Sequence, residues 1–405
     1  MPPRIAQLPA TAALVTLLAG AATVAGTAAP AAAADDSPTL PAVSSAPPQA
    51  GGCVRPSKKH SDLTPWPQRY IAPSRAWPSA RGAGVTVAVV DTGVDAGGAP
   101  ALAGRVTAGP DVVSGGTAGK DCIGHGTFVA GIVAAGQKAG VGFAGVAPDA
   151  RILAIRATGA DGAATVDKVA AGIRAAVAGG ARVVDVPLAL TRGSASLTSA
   201  VRDAVRQNVL VVAPAYGFTD SSGSAAPAAY PAALPGVLAV AGLAPGGGPD
   251  QKAAPATAPD IAAPGTSLMS IGPGGSGNFS GSGADLATGF VAGTAALVDS
   301  YRPGLTTQQL TDRLTSTAYP GAAGSRSLTG AGTVDPAGAV TAVLPKSAPG
   351  PARPEPAPQL AASAGDSAHT GAVAVAGGAA GLVALTAFFA AVLPRARRRG
   401  WRAGV

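Results

Sequence analysis

Short valine-rich runs alternate with longer, alanine-rich amphipathic segments from Gly82 onward, and no other feature restricts the possible folds as strongly. A buried strand followed by an amphipathic helix is one βα unit, and successive units build a parallel sheet covered by helices. The sequence therefore predicts an α/β fold. The predicted strands lie at 85–90, 152–156, 183–188, 209–213 and 237–241, and the predicted helices at 167–178, 196–207, 286–300 and 307–317.

The composition supports a folded protein built largely from small residues. The chain has 405 residues, of which 47% are hydrophobic and 12% charged, with 57 glycines and 37 prolines. A chain so rich in apolar residues is able to bury a core, which excludes disorder throughout its length. No internal repeat is evident, and the fibrous class is excluded as well.

The net charge of +8 at pH 7 raises the question of nucleic-acid binding, and the position of the charges answers it. Five arginines lie at 394–405, directly after an uncharged apolar run at 371–393. At 1.5 Å per residue that run spans roughly 34 Å as a helix, enough to cross a bilayer. The sequence predicts a transmembrane helix there, a basic cytoplasmic tail, a location in the cell membrane with the body of the protein outside the cell, and no nucleic-acid partner.

The N-terminus predicts export. Arg4 precedes an apolar stretch at 8–29, and small residues follow it, which is typical of a signal peptide at 1–34. An uncleaved membrane anchor is the alternative, and it also places the body of the protein outside the cell.

Two segments have the composition of linkers. Residues 35–52 are rich in Ser, Pro and Ala, and they predict a flexible lead-in with order starting near Cys53. Residues 345–370 contain six prolines, and they predict a spacer between the domain and the membrane.

The two cysteines, Cys53 and Cys122, fit an oxidising compartment. If bridged, they would close a loop that stabilises the fold by about 4 kcal/mol in the chain-entropy model. Two independent buried thiols are the alternative. A metal site is not predicted, because two cysteines with no nearby histidine pair supply too few ligands.

Two motifs place polar residues at the predicted sheet. The run at 85–90 leads into Asp91 and Gly93, so a carboxylate lies at the carboxyl end of a strand, where active sites of open α/β folds form. The second motif, at 121–131, contains His125 between two glycines and continues into an apolar helix. The glycines allow close approach of the backbone.

Together with the segment 145–156, these motifs resemble the subtilisin family of serine peptidases over a domain at 81–344. The resemblance implies that family's parallel sheet flanked by helices. It also implies that Asp91 orients a histidine and that His125 is the general base that takes the proton of the nucleophile.

The layout of the whole chain is similar to that of the mycosins, the membrane-anchored subtilisin-like proteases of type VII secretion. Mycosins combine a signal peptide, a disulfide-tied N-terminal extension, a protease domain, a proline-rich linker and one C-terminal helix. The resemblance implies an extension at 35–80, a disulfide between Cys53 and Cys122, and a partner in the type VII secretion membrane complex.

The position of the nucleophile departs from the family pattern. The family has a Gly-Thr-Ser-x-Ala block before a helix, and the helical segment 290–298 sets the register here. Gly283 keeps its place, Ala284 replaces the threonine and Asp285 replaces the serine. A carboxylate has no hydroxyl proton for His125 to remove, and beside an imidazole it would form an ion pair.

Two serines are possible substitutes, and one metal site is conceivable. Ser267 lies in a local Gly-Thr-Ser sequence, but no helix is predicted after it. Ser282 precedes Asp285 by three residues, so it would serve only if the start of the helix were remodelled by nearly a turn. A metal held by His125, Asp285 and Asp91 would lack a further ligand.

The oxyanion side departs from the family as well. Gly217 stands where the family has an asparagine donor. Pro187 and Ala189 stand where it has serine and glycine, so a backbone donor is lost and the space beside a bound peptide is narrowed.

These substitutions predict a membrane-anchored pseudoprotease that acts as a scaffold or binds a peptide or protein, with no cofactor or metal. The alternative is an active serine endopeptidase that uses Ser282 or a remodelled loop. A groove that binds peptides without cutting them is a third possibility.

Overall fold

The computed structural model describes residues 39–44, 48, 52–216, 228–250, 255–322 and 324–344. The strands are β1 Thr86–Asp91, β2 Val106–Asp111, β3 Arg151–Arg156, β4 Val183–Asp185, β5 Leu210–Pro214, β6 Val237–Leu243, β7 Ile261–Pro264, β8 Leu268–Ile271 and β9 Asn278–Gly281. The helices are α1 Trp66–Tyr70, α2 His125–Ala134, α3 Val166–Ala178, α4 Ala195–Arg206, α5 Ala287–Tyr301, α6 Thr307–Ser316, α7 Arg326–Thr329 and α8 Pro336–Thr341.

Seven of these strands form one parallel sheet in the order β2-β3-β1-β4-β5-β6-β7. After β1, the chain forms β2 and β3 on one side of that strand, and it then forms β4 on the other side. The direction in which new strands are added to the sheet therefore reverses beside β1. Ligand crevices in open α/β sheets form outside the carboxyl ends of the strands at such a reversal, which is where Asp91 lies.

Alternate residues of the strands enter two separate cores, because side chains of a strand point to opposite faces of the sheet. Val87 and Val89 pack on one face with α2 and α5, whereas Ala88 and Val90 pack on the other face with α3 and α4. Both α2 and most of α5 are buried. The helix that carries His125, α2, and the helix that follows Asp285, α5, are thus held inside the domain.

The predicted α/β fold is confirmed, and the ends of most predicted elements agree with the structure to within two residues. The strand predicted at 183–188 is an exception, because β4 ends at Asp185. Val186 N still donates to Val212 O, 2.9 Å away, but Pro187 has no N–H to continue the ladder.

Three parts of the sheet structure are not predicted by the sequence patterns. β2 has the sequence VTAGPD, without an apolar pattern, and it lies at the edge of the sheet, where it pairs with β3. The antiparallel hairpin of β8 and β9 and the short strand β7 were missed as well.

The lead-in before Cys53 is more ordered than predicted. Ser280 N in β9 donates to Pro41 O, and Val43 N donates to Ser280 O at 2.8 Å. The prediction was wrong at these residues, because the free edge of β9 pairs with the backbone of this segment and the Val43 side chain is buried in the core. Cys53 and Cys122 form a disulfide, so the bridged alternative is confirmed and the two free thiols are excluded.

None of the helices within the described residues has the length and apolar character that crossing a bilayer requires. The predicted signal peptide at 1–34, linker at 345–370, transmembrane helix at 371–393 and basic tail lie outside those residues.

Candidate active site

Asp91 and His125 meet at the carboxyl end of β1. Asp91 is the last residue of that strand, His125 is the first residue of α2, and both side chains are buried. His125 Nδ1 lies 2.6 Å from Asp91 Oδ2. Gly126 permits this approach, because a Cβ there would collide with the carbonyl oxygen of Gly93. The predicted pairing of the two residues is thus present in the structure.

Asp121 holds the loop that leads into α2. One carboxylate oxygen accepts hydrogen bonds from Gly124 N at 2.7 Å and Thr92 Oγ1 at 2.9 Å. The other accepts from Thr127 N and Thr127 Oγ1. This buried carboxylate ties the end of β1 to the first turn of α2 and thereby sets the position of His125.

Asp285 lies beside the other nitrogen of the imidazole. Its Oδ2 is 3.2 Å from His125 Nε2, and its Oδ1 accepts a hydrogen bond from Leu286 N at 3.1 Å. The turn before α5 is fixed by Gly283 N, which donates to Gly265 O. Asp91, His125 and Asp285 therefore form a buried row, called the ion triad below.

The electrostatics of the ion triad favour a charged imidazole. Burial lowers the pKa of His125, but the Asp91 and Asp285 carboxylates outweigh it and hold that pKa well above its usual value of 6.5. Burial raises the pKa of Asp91, and the charge of His125 opposes that rise. At neutral pH both ring N–H groups of His125 donate to carboxylates, so neither nitrogen is left to accept a proton.

We expect His125 to be protonated at pH 7 in the full chain, with both ring nitrogens carrying a proton in ¹⁵N NMR spectra. Asp285→Asn removes one of the two carboxylates that raise the pKa of His125, so that pKa should fall. Asp299→Asn, at the far end of α5 where Asp299 pairs with Arg182, is the matched control and should leave the pKa unchanged. Titration of His125 near 6.5 in the wild type would contradict the charged triad.

Asp185 is a further buried carboxyl near the ion triad. Neither of its side-chain oxygens has a hydrogen-bond partner among the described residues. The hydroxyl of the neighbouring Thr288 gives its proton to Asp285 O instead. Burial raises the pKa of Asp185 from 3.8 to about 8, so the group is neutral at pH 7.

The two substitute serines lie outside the ion triad and contact each other. Ser282 Oγ accepts a hydrogen bond from Ser267 N at 2.9 Å, and both serines are exposed. Ser267 is followed by β8, which agrees with the prediction that no helix follows it. The residue at His125 Nε2 is Asp285, and the start of α5 is not remodelled toward Ser282.

The oxyanion side is described only in part. Gly217 lies outside the described residues. Pro187 is buried just after β4, and Ala189 is half-buried beside Leu190, whose backbone pairs with Tyr230. Tyr216, the residue before Gly217, places its hydroxyl 3.2 Å from Asp285 N and accepts that N–H.

Three residues of the site were not predicted. Asp121 had a signal, since an acidic residue shortly before an apolar helix is typical of a cap. Asp185 had a weaker one, as a polar residue inside a valine-rich run. Tyr216 had none, because its contact with Asp285 joins positions 69 residues apart. No group of three or more His, Cys, Asp or Glu in the described ranges has the arrangement of a metal site.

The fold and the Asp91–His125 pair define a peptidase-type α/β domain, because a buried carboxylate on one imidazole nitrogen is the arrangement that orients a triad histidine. The sequence model of the subtilase family, peptidase S8, matches residues 82–337. The chain therefore belongs to the subtilase family, as its motifs predict.

Within that family the chain is similar to the mycosins. It is 34% identical to mycosin-3 of Mycobacterium tuberculosis (strain ATCC 25618 / H37Rv) over 384 residues, which cover 80% of this chain and 82% of mycosin-3. The match to another curated subtilase is shorter and spans 53% of that relative's length.

Two of the solved structures that resemble this chain come from type VII secretion systems. The MycP3 protease from the type VII (ESX-3) secretion system has a TM-score of 0.60 and 31% identity, covering 76% of this chain and all of that one (100%). A chain in the periplasmic assembly from the ESX-5 inner membrane complex has a TM-score of 0.64 and 26% identity, covering 80% of this chain and 96% of that one. The predicted similarity to mycosins is thereby confirmed.

Proposed function

We propose that this protein is a mycosin-like subtilase of type VII secretion that does not hydrolyse peptides and acts instead by binding, as a scaffold or as a receptor for an extended peptide. The observation that carries the proposal is the Asp285 carboxylate, 3.2 Å from His125 Nε2 at the start of α5. That is the position where the family pattern places its serine.

Two chemical requirements of serine-peptidase catalysis are unmet in the ion triad. The reaction begins when a neutral imidazole removes the proton of a serine hydroxyl. Asp285 has no hydroxyl, and its carboxylate together with Asp91 keeps His125 protonated. In subtilisin, from the same family, removal of the nucleophile lowers turnover by about 10⁶-fold. Binding is then the capacity that the domain retains.

The proposal includes a place at the membrane. Residues 371–393 would anchor the chain, the basic tail at 394–405 would face the cytoplasm, and the subtilase domain would lie outside, separated from the membrane by the linker at 345–370. Support comes from the ESX-5 inner membrane complex, whose periplasmic assembly contains a structurally similar chain. The partner on the outer face would accordingly be a type VII secretion membrane complex.

The test combines a broad peptide library with a fluorophosphonate probe that labels activated serines. The full chain in mild detergent should neither cleave the library nor react with the probe, and Ser282→Ala should behave identically. Ser267→Ala is the matched control, since Ser267 donates its backbone N–H to Ser282 and is equally exposed.

Cleavage or labelling by the wild type would overturn the proposal. If that activity disappeared in Ser282→Ala and persisted in Ser267→Ala, the protein would be an endopeptidase that uses Ser282. An inactive wild type whose residues 371–393 did not partition with membranes would retain the chemical part of the proposal and remove the anchor.

A further inference from the structure

Tyr216 is a buried tyrosine that reaches the turn before α5. Its hydroxyl lies 3.2 Å from Asp285 N and accepts the hydrogen of that amide, and the side chain is 9% exposed. Asp285 precedes α5, and its amide lies in the turn that leads into the helix. Tyr216 therefore supplies an acceptor for this buried amide.

The backbone around Tyr216 holds the hydroxyl in place. Ala215 N donates to Val240 O in β6 at 2.7 Å, and Ala215 O accepts from Thr257 N at 2.8 Å. Tyr216 also pairs with Pro255 in an isolated antiparallel bridge. The tyrosine thus projects from a backbone that is hydrogen-bonded on two sides, and its contact with Asp285 N is part of the packed domain.

The amide that Tyr216 occupies has a defined use in serine peptidases. The backbone N–H of the nucleophile residue is a donor of the oxyanion hole, which polarises the carbonyl of a bound peptide. Asp285 stands at that residue, and its N–H points to the tyrosine oxygen instead. A peptide carbonyl and the Tyr216 hydroxyl would compete for the same hydrogen.

The Tyr216 hydroxyl stays neutral in this position. Burial and the nearby Asp285 carboxylate raise the pKa of Tyr216 above its usual value, so it remains a hydroxyl across the physiological range. A neutral hydroxyl both accepts the Asp285 amide hydrogen and keeps a proton of its own beside a carboxylate. A peptide carbonyl only accepts hydrogen bonds, so it could take the Asp285 amide hydrogen but would bring no proton to the carboxylate.

We propose that Tyr216 is a self-blocking residue: its hydroxyl occupies the backbone amide of Asp285 and keeps the carbonyl of an extended peptide from that donor until the tyrosine side chain moves away. The inference rests on the proposed function and deepens it, because it states which group competes with a bound peptide at the site. It assigns the block to Tyr216, independently of the loss of the nucleophile.

The test restores a serine and then removes the tyrosine, using the full chain in detergent. Asp285→Ser should react slowly with the fluorophosphonate, and Asp285→Ser combined with Tyr216→Ala should react at least ten-fold faster, since a single oxyanion donor contributes about 10²–10³ in rate. Asp285→Ser combined with Tyr301→Phe, at the other end of α5, is the matched control and should react like Asp285→Ser alone.

A second measurement covers the case in which Tyr216→Ala does not fold. Tyr216→Phe, in the wild-type background, removes only the accepting oxygen, so hydrogen exchange at the amide of residue 285 should accelerate about ten-fold while the amides in the middle of α5 stay protected. The proposal would be overturned if Asp285→Ser were labelled at the same rate with and without Tyr216→Ala, or if neither protein were labelled. Unchanged hydrogen exchange at the amide of residue 285 would overturn it as well. Wild-type labelling would instead overturn the proposed function, so the two failures are distinguishable.

Discussion

Asp185→Asn should stabilise the protein by several kcal/mol at pH 8 and leave its stability almost unchanged at pH 4. Asp185 is fully buried, and burial raises its pKa to about 8 in the folded chain, against 3.8 when exposed. Between these two values the unfolded chain releases the proton and the folded chain keeps it. The free energy of unfolding therefore falls as the pH rises through this window, by about 1.4 kcal/mol for each unit. Asparagine has nearly the same shape and does not ionise, so the variant avoids this loss.

The measurement is urea unfolding of the full chain in detergent at pH 4, 6 and 8, followed by tryptophan fluorescence. Asp62→Asn, at an exposed aspartate, is the matched control and should follow the wild type at each pH. Any contribution from His125 is common to all three proteins, so the difference between wild type and Asp185→Asn isolates the buried carboxyl. An Asp185→Asn protein with the same pH slope as the wild type would show that Asp185 is ionised in the folded state.

Removal of the disulfide should destabilise the protein by an amount similar in size to the stabilisation expected from Asp185→Asn. Cys53 and Cys122 are 69 positions apart, and closing a loop of that length stabilises a fold by about 4 kcal/mol in the chain-entropy model. The bridge joins the extension to the residue after Asp121, next to the loop that positions His125. Cys53→Ser combined with Cys122→Ser should lower the free energy of unfolding by up to about that amount.

The double variant should also expose the extension to protease. Backbone bonds remain where Gly277 N donates to Ser57 O and Asn278 N donates to Lys59 O, so the segment should loosen without leaving β9 completely. Limited trypsin digestion would then cut after Lys58 or Lys59 sooner than in the wild type. A variant that unfolds at the wild-type urea concentration and resists trypsin equally would contradict this role of the bridge.

The elements predicted from local pattern are those whose stability depends on their own residues. The strands β1, β3 and β6 each contain a continuous apolar run, which suits a position buried on both faces of a parallel sheet. β2 has no such run and forms because β3 offers it a free edge. Pro187 shows the opposite case. The apolar run in the sequence continues past Asp185, but β4 ends there because Pro187 has no N–H to donate to the neighbouring strand.

The candidate site was predictable to the extent that its residues lie in motifs. Asp91 and His125 were found from the residues around them, and Asp285 was placed by counting back from α5, which agrees with its contact to His125 Nε2. Tyr216 and Asp185 belong to the same region, but they touch it through contacts between distant segments. Periodicity and spacing carry no information about such contacts.

The sequence by itself determined the fold class, the Asp91–His125 pair and the absence of a hydroxyl at position 285, because these depend on local periodicity and on the chemistry of single residues. Only the tertiary structure decided the neutrality of Asp185 and the acceptor of the Asp285 amide. Protonation depends on burial and on the distance to other charges, and a hydrogen bond depends on two atoms being within about 3 Å of each other. Folding sets both quantities by bringing together residues that are far apart in the chain.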